Sequence, residues 1–154
     1  MIKNKGWNLF VNNSSNYTYL EDLELKNLTT ANSSFDSSTR ISNEGLWYNH
    51  LAKLSSANSM FANNNKMTHF DADLSSLTDG SYMFDPVKNL YTIKLDLPKL
   101  NSSYSMFRGC EKLVFADLNA PKLTSGADMF TRCYNLKRIN AKFPNLTNAN
   151  EMFY

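Results

Sequence analysis

The residues best suited to chemistry in this sequence are four aspartates, Asp71, Asp73, Asp96 and Asp117, with Lys94 set among them. A calcium site would need about six oxygens converging on one point. A glycoside-cleaving pair would need two carboxyl groups at a defined separation, one with a raised pKa. Neither arrangement is encoded by a local motif here, and Lys94 interrupts the acidic set. Solvated, outward charges on an open sheet are the simpler reading, with a binding surface next. Two cysteines and two histidines leave little material for a zinc site. His50 and His69 have no serine or cysteine spaced to complete a catalytic triad. No cofactor is expected. What these residues do depends on the elements that bring them together.

Those elements come from a repeat. Met-Phe recurs at Met60-Phe61, Met83-Phe84, Met106-Phe107, Met129-Phe130 and Met152-Phe153, 23 residues apart each time. Ser34-Phe35 opens the series as a repeat longer by three residues. Counting from each Met as position 1, position 2 is Phe in all six repeats, and position 18 is Leu in all six, from Leu28 to Leu146. Apolar residues at positions 11, 13 and 15, such as Ile93, Leu95 and Leu97, alternate with Lys94 and Asp96. Alternation of that kind is the signature of a half-buried strand. One strand per coil cannot bury its own inner face, so coils must stack, with strands pairing in parallel about 4.8 Å apart. Pro98, Pro121 and Pro144 all stand at position 16. There a missing N–H costs no ladder bond and the fixed φ starts a turn.

The pattern predicts an α/β to mainly β solenoid, right-handed, with one parallel strand per 23-residue coil and short helical or 3₁₀ turns on the other face. Residues 1–10 fit the repeat poorly and read as an N-terminal cap, with Trp7, Leu9 and Phe10 covering the first coil. Residues 11–154 form a single solenoid of about six coils, with the extra residues bulging between Ile41 and Leu51 around Glu44 to Tyr48. In this register the outward positions 12 and 14 carry Asp22 and Glu24, then Asp71 and Asp73, Lys94 and Asp96, Asp117 and Asn119, Asn140 and Lys142. Position 10 adds His69, Thr92, Phe115 and Arg138 at the edge of the same face. The candidate binding face is therefore Asp71, Asp73, Lys94, Asp96, Phe115, Asp117, Asn119, Arg138, Asn140 and Lys142. Phe115 beside Arg138 has the composition of an interaction hot spot, or else folds back into the core. Cys110 and Cys133 share position 5 one rung apart, and read as small buried side chains before they read as a disulfide.

Composition narrows the function. Hydrophobic residues are 42% and charged residues 19% of the 154, which is the balance of a folded chain rather than a disordered one. Asn occurs 21 times and Ser 17 times, an excess that needs a structural reason. Net charge is +2, spread too evenly for a nucleic-acid-binding surface. No apolar run approaches the roughly 18 residues of a membrane span, so membrane insertion is not expected. Met1 to Trp7 carries charge with no apolar stretch after it, so a secretion signal is not expected either.

The segments Met106-Phe107-Arg108-Gly109-Cys110-Glu111-Lys112-Leu113 and Met129-Phe130-Thr131-Arg132-Cys133-Tyr134-Asn135-Leu136 resemble the BspA-like leucine-rich repeat. That family carries a Met/Ala-Phe-x-x-Cys-x-x-Leu signature followed by a strand. The resemblance covers roughly residues 20–154, with Asn64 and Val87 where cysteine is expected. It implies a leucine-rich-repeat solenoid, and surface adhesins, host-contact proteins or phage-borne repeat proteins as company. It supplies no catalytic residues.

The expectation is a non-enzymatic recognition or adhesion module presenting its parallel sheet to a protein or a cell-surface glycan. With the absent signal, a phage virion or host-attachment component, or a cytoplasmic protein, is favoured over a secreted adhesin. The rivals are a parallel β-helix enzyme that processes polysaccharides with acidic residues on a sheet face, and a purely structural spacer. The sequence stops at Glu151-Met152-Phe153-Tyr154, the first residues of another coil. A repeat array needs its terminal coil covered, so association with another chain or a second copy is expected there.

Overall fold

The structure is a computed structural model that describes residues 27–37 and 51–154. The expected N-terminal cap, the insertion around Glu44 to Tyr48, and Asp22, Glu24 and His50 lie outside the described residues. The described residues form a parallel β-solenoid with about 23 residues per coil. Its sheet has four strands, β1 (His69–Phe70), β2 (Thr92–Asp96), β3 (Phe115–Asn119) and β4 (Arg138–Lys142), in sequence order. All pairs are parallel, and Ile93 sits beside Ala116, which sits beside Ile139. β2 alternates exposed and buried residues without a break, as the period-2 pattern requires. Among the described residues no helix is long and apolar enough to cross a membrane.

The core is a set of columns. Phe35, Phe61, Phe84, Phe107, Phe130 and Phe153 stack in one file, successive centroids 5.4 to 5.7 Å apart and rings within 15° of parallel. Phe70 reaches from β1 into that file and meets Phe61 and Phe84 at steep angles. Leu54, Leu77, Leu100 and Leu123 form a second buried file, and Met60, Met83, Met106 and Met129 a third. After each strand the chain turns over the proline. The Leu100 N–H donates to the Leu97 carbonyl across Pro98, and Leu123 to Ala120 across Pro121. Proline as the second residue of a four-residue turn is preset for that geometry.

The opposite face, expected to carry short helical or 3₁₀ turns, carries turns closed by bonds three residues apart and little helix. The Met-Phe segments are successive turns rather than a helix. Ser33, Ser59, Tyr82, Ser105, Asp128 and Glu151, each just before position 1, have φ between 50° and 58°. Ser37, Asn63, Gly109 and Arg132 repeat the left-handed conformation at position 4. These left-handed residues interrupt helical propagation, and most of them aim their N–H along the solenoid axis at the next coil. Ser59 N–H donates to the Ser81 carbonyl at 3.0 Å and Phe61 N–H to Met83 at 2.9 Å. Tyr82 and Phe84 do the same to Tyr104 and Met106. Along this turn column the N–H belongs to the earlier coil and the carbonyl to the later one. Non-glycine residues with positive φ cost roughly 1–3 kcal/mol each, and here the inter-coil bonds hold them in place.

The excess of Asn and Ser has its reason in the same stacking. Side-chain amides tie coils together: Asn89 to the Asn65 carbonyl, Asn135 to Glu111, Asn145 to Pro121. Hydroxyls do likewise, from Ser55 to the Thr29 carbonyl, Thr78 to Ser55 and Thr147 to Thr124. A second parallel ladder of single bridges runs through Thr30, Ser56, Asp79, Ser102, Ser125 and Asn148. Turns expose carbonyls that a strand would pair, and short polar side chains satisfy them from the neighbouring coil.

Candidate recognition face

The outward residues of the sheet are brought together as the register predicts. Lys94 lies beside Asp117, which lies beside Asn140; Asp96 lies beside Asn119, which lies beside Lys142. Asp71 and Asp73 follow the two paired residues of β1 and hold the same repeat positions, 12 and 14. Asp71, Lys94, Asp96, Asn119, Arg138, Asn140 and Lys142 are exposed, whereas Asp73, Phe115 and Asp117 are half-buried. The face is laced along the axis. The Asn119 amide donates to Asp96 Oδ1 at 2.7 Å, and the Asn140 amide donates to Asp117 Oδ1 at 2.8 Å. Each carboxylate keeps its second oxygen outside these bonds. Asp73 Oδ1 accepts the Ser75 N–H at 2.9 Å, which starts the turn leaving the sheet.

Phe115 does not fold wholly into the core. Its ring is half-buried under the Arg138 guanidinium, whose central carbon stands 5.5 Å from the ring centroid. The pair gives the sheet edge an apolar patch with a charge above it. Among the described residues no group of three His, Cys, Asp or Glu is placed to hold a metal.

The two cysteines are free thiols. Cys110 donates to the Phe84 carbonyl at 3.3 Å and Cys133 to the Phe107 carbonyl at 3.1 Å. Asn64, at the same position of an earlier coil, donates to the Phe35 carbonyl at 2.6 Å. Position 5 thus supplies a donor to the Phe carbonyl one coil back at Asn64, Cys110 and Cys133, with apolar Val87 between, and Cys and Asn fill one role. Burial pushes the Cys110 thiol well above its ordinary value and the Cys133 thiol up to about 12. Both stay protonated and act as donors, not as nucleophiles.

A cluster on the turn face escapes a reading of the strands alone. Asp85 is buried, and its Oδ2 accepts Arg108 Nε at 3.0 Å and lies 2.9 Å from Arg108 Nη2. Arg108 also lies over the Tyr82 ring at 5.9 Å, and Tyr82 meets Tyr104 edge-on at 5.3 Å. Burial raises the Asp85 carboxyl above its usual range, and the Arg108 hydrogen bond offsets only part of that. A hydrogen bond to Asp128 raises the Tyr104 hydroxyl. The signal for this pair was the spacing: Asp85 and Arg108 share position 3 of adjacent coils.

A depression of about 480 Å³ on the last described coil is open to one side and lined by Phe130, Tyr134, Leu136, Ile139, Phe153 and Tyr154 among others. Fold and face together define a parallel β-solenoid with one ordered, charged sheet face. Set against known proteins, the chain matches no family model, no curated protein and no solved structure.

Proposed function

We propose that the protein is a non-enzymatic recognition module that reads a protein or glycan surface with its parallel sheet. The observation that carries the reading is the in-register array on β2, β3 and β4, in which Asn119–Asp96, Asn140–Asp117 and Arg138–Phe115 contacts fix side chains before any ligand arrives. Preorganised polar groups around an aromatic anchor lower the entropy cost of binding. The resemblance to BspA-like leucine-rich repeats supports an adhesion or virion-borne host-contact role, and favours a surface polymer or protein as ligand. The half-buried Ile139 and exposed Phe153 of the last described coil fit stacking of a further coil, from this chain or another.

Saturable binding to purified envelope proteins or glycans tests the proposal. Binding should be lost when Phe115 becomes Ala and Asp117 becomes Lys together, with the circular dichroism spectrum unchanged. Absence of any saturable ligand would make the chain a spacer, and turnover of a polysaccharide would make it an enzyme.

A further inference from the structure

The sheet face is negative at one end of the stack and positive at the other. Asp71 and Asp73, just after β1, put two negative charges at that end, Lys94 and Asp96 cancel on β2, Asp117 stands alone on β3, and Arg138 and Lys142 give β4 two positive charges. A second copy can meet this face about two different two-fold axes. With the axis along the stack and through position 12, each rung meets its own copy, and Asp71, Lys94 and Asp117 each face a like charge. With the axis along the strands, stacking order reverses while strand direction is kept. Position 12 of β2 then faces position 12 of β3, and the β1 rung faces β4.

Under that second operation the face is its own complement. Lys94 faces Asp117 of the other copy, twice over, and Asp73 faces Lys142, twice over. Asp71 faces the Asn140 amide and Asp96 the Asn119 amide, Asp96 offering the oxygen left out of its own-chain bond. Thr92 faces the Phe115 ring. His69 stands opposite Arg138, and only the Lys94–Asp117 and Asp73–Lys142 juxtapositions pair opposite charges. A closed two-fold interface requires such self-complementarity, residue for residue.

We infer that the sheet face binds a second copy of this chain, face to face, about a two-fold axis parallel to the strands. The inference rests on the reading of this face as a recognition surface and names its partner. Three rungs of five residues and the shorter β1 span roughly 14 by 16 Å. That is small for an interface, so the dimer is weak, held at micromolar or higher concentration and loosened by salt.

Sedimentation equilibrium of the full chain from about 10 to about 500 µM, the range suited to a weak interface, tests it. A monomer–dimer equilibrium that weakens with added salt is expected. Asp73→Lys and Lys142→Asp should each raise the dissociation constant about tenfold or more. The double variant should restore it. Asp73 and Lys142 lie three rungs apart, too far to compensate within one chain, so rescue reports contact between copies. Circular dichroism melting checks that each variant folds. A monomer throughout, a dimer indifferent to the single reversals, or a double variant as weak as the singles would each overturn the inference. Binding of a foreign glycan or protein lost with Phe115→Ala would still stand beside a monomer, so the two readings fail separately.

Discussion

Phe84 and Phe107, one coil apart, lie with ring centroids 5.4 Å from each other and planes 6° from parallel. Both are fully buried. Each ring is at once the floor of one coil and the ceiling of the next, so the file ties non-adjacent parts of the chain into one cooperative core. Phe107→Ala should therefore cost about 3–5 kcal/mol, read from urea denaturation. A variant that melts with the parent would show that the coils are held by their backbone ladders instead.

The outward aspartates contribute differently. Replacing Asp71, Asp73, Asp96 and Asp117 together by Asn should leave the fold intact and shift stability by about 1 kcal/mol or less. Asn can still accept from the Asn119 and Asn140 amides. Thermal melting checks this, and collapse of the fold would show these carboxylates to be structural.

Asp85 makes a pH-dependent contribution of a definite sign. Its carboxyl is raised in the folded state, so between its ordinary value near 3.8 and the folded value the folded chain holds more protons than the unfolded one. Stability from this residue is thus fully present below that window and lost as pH rises through it. At neutral pH, Arg108→Ala strands a buried carboxylate and should cost about 1–3 kcal/mol. Adding Asp85→Asn should recover most of the loss. Chemical denaturation of both variants at neutral and acid pH checks the sign, since the cost of Arg108→Ala should shrink toward low pH.

Thiol reactivity is a fourth handle. With Cys110 buried and Cys133 raised to about 12, both should react slowly with a thiol reagent at neutral pH and fully after denaturation. Fast labelling of the native chain would contradict the donor role assigned to position 5.

Much of this fold was legible in the spacing. The strands β2, β3 and β4 and the Phe and Leu files follow from a strict 23-residue period, because a one-residue slip would turn every inward side chain out. The residues of the candidate face were legible for the same reason. Of the Asp85–Arg108–Tyr82 cluster only the shared position 3 of Asp85 and Arg108 stood in the spacing, and a hydrophobicity pattern does not encode the left-handed backbone at Tyr82 and Gly109 beside it. The donor roles of Asn64, Cys110 and Cys133 were not legible, since satisfying a carbonyl one coil back leaves no trace in apolar periodicity.

The Met-Phe turns give the stack an arrow. Every bond down that column runs from an amide in one coil to a carbonyl in the next, from Phe35 with Met60 to Phe130 with Met152. A coil laid turn over turn in reverse would set amide against amide and carbonyl against carbonyl. Growth along the axis can therefore proceed only nose to tail, like bricks whose studs all face one way. Mirror-like joining is left to the flanks of the column, where the sheet looks outward.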